Sequence, residues 1–282
     1  MSELRDRVVL ITGAASGLGR LLARRVAAEG ARVILWDVDA AGIQAVRDEI
    51  GAPAVGTYVC DLTDRKAIAA TAARTLADHG SIDVLVNNAG IVSGKTLLAA
   101  SDADIERTFA VNTLALFWTT RAFLPAMLER DRGHLVTIAS AAGLVGTSRL
   151  VDYCASKHAA VGFDESLRLE LRRQGSRVVT TVVCPFYVST GMFDGVRTRF
   201  PALLPILEPS YVVEQIVRAI RHDHRRLVLP RLVATTYLAR LLPVAAFDAI
   251  MEFLGVNRTM DEFRGRTAPA VRDDAATTSS AR

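Results

Sequence analysis

The alternation of short apolar runs with helix-like segments is the feature of this sequence that most restricts its fold. Seven runs are rich in β-branched and other apolar residues, and they cover residues 7–12, 32–37, 54–60, 83–88, 134–140, 177–184 and 226–230. Segments rich in Ala, Leu and Arg lie between most of them. Runs that are apolar throughout are typical of strands buried on both faces, and helices between them favour parallel pairing with right-handed crossovers. The sequence therefore predicts an α/β fold with a single doubly wound parallel sheet and helices on both faces.

The composition restricts the class of protein further. Of the 282 residues, 50% are hydrophobic and 23% are charged, which is ordinary for a globular chain whose core needs no disulfide. Cys60, Cys154 and Cys184 have no metal-ligand spacing and are typical of reduced thiols in the cytoplasm. His222 and His224 stand two apart in a charged turn, which favours solvated side chains over a metal site. The mild net charge of +4, spread over interleaved residues, argues against a nucleic-acid partner.

We expect one domain over residues 1–263, because no linker interrupts the alternation. Residues 264–282 are small and polar and are predicted to form a disordered tail. Residues 232–255 form the most apolar stretch, but residues such as Arg240 and Pro243 interrupt it too often for a membrane span. We expect a helical segment that packs against the protein or a second subunit, or lies against a membrane surface as an amphipathic element. The expected location is the cytoplasm, with peripheral contact at a membrane as the variant.

A glycine-rich turn, TGAASGLG, joins the first predicted strand to the first predicted helix. Gly13 allows a tight turn, Gly17 lets the backbone approach a pyrophosphate, and Gly19 permits close packing of the helix on the strand. The N-terminus of that helix would present unpaired N–H groups to the phosphates. Together with an acidic residue further along the chain, this turn predicts a dinucleotide site that includes Ser16 and Leu18.

That acidic residue is Asp37, at the end of the second predicted strand. A carboxylate there accepts hydrogen bonds from the hydroxyls of the adenosine ribose and repels a 2′-phosphate, and no basic residue stands beside it. We therefore predict NAD rather than NADP as the cofactor; a turn or helix cap is the alternative role for Asp37. Asp61, after the third strand, would accept a bond from the adenine amino group or else cap a helix.

Tyr153 and Lys157 stand one helical turn apart in DYCASKHAA and therefore share a face of a helix. Lowering the pKa of a tyrosine from about 10 to about 7 takes roughly 4 kcal/mol. An ammonium about 4 Å away supplies about that much at an effective dielectric constant of about 20. The pair predicts proton transfer, with Tyr153 as general base in oxidation and general acid in reduction. Cys154 beside it is more typical of a small buried thiol than of a nucleophile.

These motifs together resemble a known family. TGAASGLG, the NNAG after the fourth predicted strand, Asn112, Ser140 and the Tyr153–Lys157 pair stand in the order and spacing of the short-chain dehydrogenase/reductase family. Longer stretches, among them NNAGIVSGK and PFYVSTGMF, are similar to the branch that holds retinol dehydrogenases and long-chain hydroxysteroid dehydrogenases. The resemblance implies a Rossmann-type sheet of about seven strands, oxidation of a lipophilic alcohol, and a homodimer or homotetramer.

The resemblance also implies roles for single residues. Ser140 would hold the substrate oxygen, and Asn112 would position a water that links Lys157 to solvent. Lys157 would also grip the nicotinamide ribose, and Thr190 would contact the cofactor amide or phosphate. The other residues expected to line the dinucleotide are Leu62, Asn88, Ala89, Gly90, Tyr153, Pro185 and Val188.

Residues 186–208 are expected to form an apolar lid over the nicotinamide and the substrate. Phe186 stands where the family usually has glycine, which implies a bulkier wall. The expected substrate contacts are Ser140, Phe186, Met192 and Phe193, and the other apolar residues of the lid are Tyr187, Phe200, Leu203, Leu204 and Ile206. Such a lid suits a long or polycyclic alcohol or ketone, with core packing of a rigid loop as the alternative.

The leading hypothesis is thus an NAD-dependent dehydrogenase for a lipophilic alcohol. A carbonyl reductase that uses NADPH is the second enzyme hypothesis. A nucleotide-sensing protein that has lost the chemistry, or a lipid-binding protein at a membrane surface, would be a different class of function. The retained Tyr153–Lys157 pair argues against the sensing protein.

Overall fold

The computed structural model describes residues 4–266, and this part of the chain contains one parallel sheet. Its strands are β1 (Val8–Thr12), β2 (Arg32–Asp37), β3 (Ala54–Val59), β4 (Val84–Asn87), β5 (His134–Ile138), β6 (Val179–Pro185) and β7 (Arg226–Leu229). The spatial order is β3-β2-β1-β4-β5-β6-β7, and every neighbouring pair is parallel. Each strand lies on one of the predicted apolar runs, so the predicted seven-stranded sheet is confirmed.

Helices cover both faces of this sheet. Their bounds are α1 (Gly17–Ala28), α2 (Ala40–Ile50), α3 (Arg65–His79), α4 (Asp102–Phe109), α5 (Ala115–Glu129), α6 (Val151–Arg173), α7 (Pro209–Arg221), α8 (Thr236–Ala239) and α9 (Val244–Phe253). Alternate residues of β1 belong to different apolar clusters: Val9 packs with residues of α1, α2 and α7, whereas Leu10 packs with residues of α3, α5 and α6. Since successive side chains of a strand point to opposite faces, these two clusters lie on opposite sides of the sheet.

The order of the strands creates a crevice at one edge. β1 lies between β2 and β4, and the chain builds the sheet outward in opposite directions from this point. The connections that follow β1 and β4 therefore lead to opposite sides of the sheet and leave a crevice between them. In doubly wound sheets, ligands bind in this crevice, outside the carboxyl ends of the strands. The glycine turn and the NNAG stretch form its two walls.

The glycine turn holds α1 very close to β1. A Cβ atom placed on Gly19 would lie only 2.1 Å from the carbonyl oxygen of Gly13, and one on Gly13 would lie 2.8 Å from the Cα of Ala89. Gly13 also has a φ of +65°, which favours glycine. These contacts agree with the tight turn and the close helix–strand packing expected for the two glycines.

The apolar segment 232–255 packs on the domain along one side only. Met251 is buried in a cluster with Leu204, but Leu241 and Val244 are 82% and 75% exposed. Within residues 4–266, no helix combines the length and the apolar character that crossing a membrane requires. Contact of the exposed apolar side with a second subunit or with a membrane surface stays a prediction.

The tail predicted for residues 264–282 lies mostly outside the described residues. Its first residues are packed: the N–H groups of Arg264 and Gly265 donate to the carbonyl oxygen of Asp194 at 2.8 and 3.3 Å. The described chain is therefore still in contact with the domain where it reaches Arg266.

Replacing Gly19 with alanine is expected to lower the free energy of unfolding by about 3 kcal/mol, because the added methyl group would meet backbone that cannot move aside. Gly162, within α6, has no atom within 4 Å of an added Cβ. Gly162→Ala should therefore raise the stability by up to about 1 kcal/mol, through helix propensity alone. Urea unfolding of both variants measures the difference, and a Gly19→Ala protein as stable as the wild type would contradict the close approach of α1.

Candidate active site

One cavity of about 320 Å³ opens at the carboxyl ends of the central strands. It receives residues from the loops after β1, β2, β3, β4, β5 and β6. The predicted site residues that line it are Gly13, Ser16, Gly17, Leu18, Asp37, Asp61, Leu62, Asn88, Ala89, Gly90, Ser140, Tyr153, Lys157, Pro185, Phe186, Val188, Thr190, Met192 and Phe193. Gly19 and Asn112 stand behind its wall. Residues far apart in the sequence are thus brought to one site.

The glycine turn presents backbone groups to this cavity. Gly17 begins α1 with a φ of +56°, and the first N–H groups of a helix have no partner within it. Ser16 occupies the N-cap position, but its side chain makes no capping bond, and no acidic residue stands in the first turn. These N–H groups and the partial positive charge of the helix end are suited to a phosphate.

Both predicted acidic residues line the cavity, and both also hold nearby backbone. Asp37 Oδ2 accepts a hydrogen bond from the N–H of Ala15 at 2.9 Å, which fixes the glycine turn. Asp61 Oδ1 accepts from the N–H and the hydroxyl of Thr63, each at 2.8 Å. Helix α3 is capped by Asp64 instead, so the alternative of a helix cap for Asp61 is wrong.

Thr12 and Asn88 tie the ends of β1 and β4 together. Thr12 Oγ1 accepts from the N–H groups of Asn88 and Ala89 at 3.0 and 3.1 Å, and Asn88 Nδ2 donates to the carbonyl oxygens of Thr12 and Gly13 at 2.9 and 3.1 Å. Thr12 is fully buried. Thr12 was not among the residues predicted from the sequence. A hydroxyl residue that ends a buried strand directly before a glycine turn is the signal that could have indicated it.

Tyr153 and Lys157 line the cavity from the first turns of α6, as their spacing predicts. Both side chains are buried. Lys157 Nζ donates to the carbonyl oxygen of Ile138 at 2.9 Å and lies 5.7 Å from the centroid of the Tyr153 ring. A Cβ on Gly90 would stand 3.4 Å from Lys157 Nζ, so the ammonium lies directly against the NNAG loop.

Burial determines the protonation of this pair. Desolvation raises the pKa of Tyr153 above its ordinary value, and a hydrogen bond with Ser140 opposes this only in part. Desolvation also lowers the pKa of Lys157 to about 8. The expected lowering of the Tyr153 pKa by Lys157 is therefore not found in the protein by itself, because burial makes a phenolate costly and Lys157 is not among the groups that lower this pKa.

Ser140 follows β5 and links it to the end of β6. Its Oγ accepts from the N–H of Ala142 at 3.1 Å and donates to the carbonyl oxygen of Pro185 at 3.5 Å. These contacts hold the hydroxyl at the carboxyl edge of the sheet beside Tyr153, the position expected from the sequence.

Asn112 lies in a π-helical turn, Ala110–Leu114, between α4 and α5. Its Nδ2 donates to the carbonyl oxygen of Ile91 at 2.9 Å and to Ser156 Oγ at 3.0 Å, while its Oδ1 accepts from the N–H of Ile91 at 2.9 Å. A Cβ on Gly90 would be 3.4 Å from this Oδ1. Asn112 therefore joins the NNAG loop to α6, directly behind the site.

An aromatic wall, formed by Phe186, Tyr187 and Phe193, lies beside the phenol of Tyr153. The Tyr153 and Phe193 rings lie 5.6 Å apart, those of Tyr187 and Phe193 lie 5.1 Å apart, and Phe186 lies 4.7 Å from Tyr187. All three contacts are edge to face, the favoured geometry for aromatic pairs. This wall is the apolar surroundings that raise the pKa of Tyr153.

The second half of the predicted lid does not reach the cavity. Phe200 packs against Phe253 of α9 at 5.6 Å, and Leu204 is buried with Met251. Leu203 and Ile206 are 44% and 41% exposed. These four residues were expected to cover the substrate. Instead, Phe200 and Leu204 pack against the apolar segment after β7, and Leu203 and Ile206 are exposed.

The surroundings are ordinary for Cys154, considered above as a nucleophile, and for His222 and His224, considered above as metal ligands. Cys154 is buried, and burial raises the pKa of its thiol, which agrees with the interpretation as a small buried thiol. His222 and His224 are exposed on the turn before β7. Among the charged residues that line the cavity, Arg107 and Arg266 were missed. No local pattern marks either of them, and Arg266 stands in the stretch predicted as tail.

The comparison with known families decides the identity of this fold and site. The family model described as short chain dehydrogenase matches residues 7–199.

The chain belongs to the short-chain dehydrogenase family.

Relatives and solved structures agree with this assignment. Epidermal retinol dehydrogenase 2 of Homo sapiens is 45% identical to this dehydrogenase over 266 residues, which cover 93% of this chain and 86% of the relative. A short-chain dehydrogenase/reductase from Burkholderia phymatum, solved in complex with NAD, superposes with a TM-score of 0.76 at 29% identity and covers 86% of this chain and 95% of its own. A metagenomic short-chain oxidoreductase in complex with NADP has a TM-score of 0.69 at 34% identity and covers 81% and 98%.

These comparisons confirm the family and the branch expected from the motifs. The dehydrogenase is a Rossmann-type oxidoreductase of the retinol dehydrogenase-like branch. Of these two structural neighbours, one holds NAD and the other holds NADP.

Replacing Thr12 with valine keeps its shape but removes the acceptor of two half-buried N–H groups. We expect the free energy of unfolding to fall by about 2 kcal/mol, the cost of leaving these two donors without their protein partner. Thr12→Ser keeps the hydroxyl and is the matched control; its free energy of unfolding should fall much less. Equal urea midpoints for the two variants would show that these bonds do not stabilise the crevice.

Proposed function

We propose that this chain is an NAD-dependent dehydrogenase that oxidises a lipophilic alcohol, retinoid-like, steroid-like or long-chain. One observation supports this most: Tyr153, Lys157 and Ser140 line the same cavity as the glycine turn, and the aromatic wall stands beside them. One end of the cavity offers N–H donors for phosphate, and the other offers an apolar slot around a phenol. A protein that only sensed nucleotides would have no need for the second end.

The residues of the cavity fit a dinucleotide. The N–H groups at the start of α1 would bind the pyrophosphate, Asp37 the adenosine ribose, and Lys157 the nicotinamide ribose. When bound, the dinucleotide supplies the acceptor for the hydride that leaves the alcohol carbon.

The protein's own residues would manage the proton. Ser140 Oγ would hold the alcohol oxygen, and Tyr153 Oη would remove the hydroxyl proton. With a pKa of about 8, Lys157 is mostly protonated at neutral pH, so its positive charge is present to stabilise the phenolate. Asn112, fixed by its bonds to Ile91, would position a water that carries the proton from Lys157 towards solvent.

The preference for NAD rests on Asp37. This carboxylate lines the cavity beside the glycine turn, and an apolar residue, Val38, follows it. A 2′-phosphate placed next to Asp37 would meet a like charge, whereas two ribose hydroxyls would meet an acceptor.

The proposed substrate class rests on the aromatic wall and on the relatives. Phe186, Tyr187, Met192 and Phe193 line the cavity, and none of them carries a charge. Such a wall desolvates a hydrocarbon chain or ring well and offers few partners to a sugar or a hydroxy acid. The match to retinol dehydrogenases over nearly the whole chain supports the same class.

Tyr153→Phe is expected to lower turnover by roughly 10³-fold, because the variant cannot accept or donate the proton. The affinity for NAD, measured by calorimetry, should stay close to that of the wild type, because the phenol ring and its packing remain. Tyr211→Phe, on the exposed surface of α7, is the control and should keep full activity. Undiminished turnover of Tyr153→Phe would refute the proposed base.

We expect kcat/KM for NAD to exceed that for NADP by roughly tenfold or more, because Asp37 would repel the 2′-phosphate of NADP. The alcohols to be tested are retinol, hydroxysteroids and medium-chain secondary alcohols. Asp37→Asn keeps an acceptor for the N–H of Ala15 but removes the negative charge, so the ratio of kcat/KM for NAD to that for NADP should fall. Absorbance of the reduced dinucleotide follows the reaction. A wild type that prefers NADP, or that reduces ketones with NADPH far faster than it oxidises alcohols with NAD, would favour the carbonyl-reductase hypothesis.

A further inference from the structure

The last described residues, 259–266, form a segment that we call the C-terminal strap. It packs across the start of the lid: Thr259 Oγ1 shares a hydrogen bond with Tyr187 Oη at 2.8 Å, and a Cβ on Gly195 would lie 2.0 Å from the carbonyl oxygen of Glu262. The N–H of Arg264 donates to the carbonyl oxygen of Asp194 at 2.8 Å. The strap thus runs in close backbone contact with the lid before it reaches its last residue.

That last residue, Arg266, extends to the glycine turn. Its Nη1 donates to Ser16 Oγ at 2.8 Å, across 250 positions of the sequence. Its Nη2 lies 3.4 Å from the point that a Cβ on Gly17 would occupy, and the Cβ of Thr190 lies 3.5 Å from the same point. The guanidinium, the first residue of α1 and Thr190 therefore converge on one part of the cavity.

The electrostatics of this part favour an anion. Arg266 is exposed, and its contact with the hydroxyl of Ser16 does not neutralise it. Within residues 4–266, no carboxylate forms an ion pair with Arg266, and the first turn of α1 contains no acidic residue. A guanidinium fork and a helix N-terminus are both preferred ligands of phosphate oxygens, and here they face the same space.

We propose that Arg266 binds the pyrophosphate of the bound dinucleotide. This rests on the proposed function, because it requires a dinucleotide in the cavity. The pyrophosphate is favoured over a 2′-phosphate because Arg266 lies at Gly17, where the N–H groups of α1 point. The 2′-phosphate would instead lie near Asp37, which accepts a hydrogen bond from Ala15, whereas Arg266 is bonded to Ser16. The strap then connects the phosphate end of the site with the lid that carries Phe193.

Calorimetric titration of Arg266→Gln tests the proposal. The Kd for NAD and for ADP should rise roughly tenfold, the size expected for the loss of one charge-assisted bond at a solvent-exposed site. The affinity for adenosine, which lacks the pyrophosphate, should not change. Arg264→Gln removes the same charge two positions away, from a side chain that does not line the cavity, and should bind NAD like the wild type. Arg266→Lys should recover part of the affinity.

Other results would overturn the proposal in distinct ways. Equal affinity of Arg266→Gln and wild type for NAD would exclude a phosphate contact. A loss confined to NADP would assign Arg266 to a 2′-phosphate instead. Equal losses for adenosine and NAD, together with a lower melting temperature, would indicate a structural role for the strap. A wild type that binds none of these dinucleotides would refute the proposed function itself.

Discussion

A buried ammonium must be solvated by the protein, and the site is arranged around this requirement for Lys157. An ammonium has three donors. One binds the carbonyl oxygen of Ile138 at the end of β5, while Gly90 of the NNAG loop lies against the nitrogen and Tyr153 stands one turn before it on α6. The position of this charge therefore depends on β5, on the loop after β4 and on α6 together. Within residues 4–266, Ile138 is the one hydrogen-bond partner of this nitrogen, and we propose the nicotinamide ribose as the partner of its remaining donors.

The aromatic wall has two opposing effects on the proposed chemistry. It gives the substrate end its apolar character, and the same burial raises the pKa of Tyr153 and lowers that of Lys157. The apolar surroundings that suit a hydrocarbon substrate thus make the phenol of Tyr153 a weaker acid, and this opposes formation of the phenolate. Lys157 Nζ lies 5.7 Å from the centroid of the Tyr153 ring, so the ammonium would act on the phenolate through a medium that screens charge poorly. Removing a ring from this wall would make the phenol easier to ionise and the slot less suited to hydrocarbon.

The sequence predicted those parts of the structure that depend on local patterns. Apolar runs located all seven strands, because strands buried on both faces leave no other composition, and the spacing of Tyr153 and Lys157 put both on one helix face. Contacts between distant segments could not be predicted in this way. Arg266 reaches Ser16 only because the strap follows the lid, and burial of Tyr153 depends on rings brought in by the chain after β6. The protein by itself raises the pKa of Tyr153 for that reason, and a lowered pKa with the dinucleotide bound stays a prediction.

The π-helical turn that holds Asn112 makes α4 and α5 one continuous helical path with a slip in phase. One extra residue in a turn advances the following side chains by about 100° around the axis. Thr108, which binds Asp152 before the slip, and Phe123, which packs on the sheet after it, therefore occupy faces that an uninterrupted helical wheel over residues 102–129 would misalign. A deletion of a single residue between Ala110 and Leu114 would make this path a regular α-helix with α5 still facing the sheet, but it would turn Asn112 away from Ile91 and Ser156 and so loosen the NNAG loop.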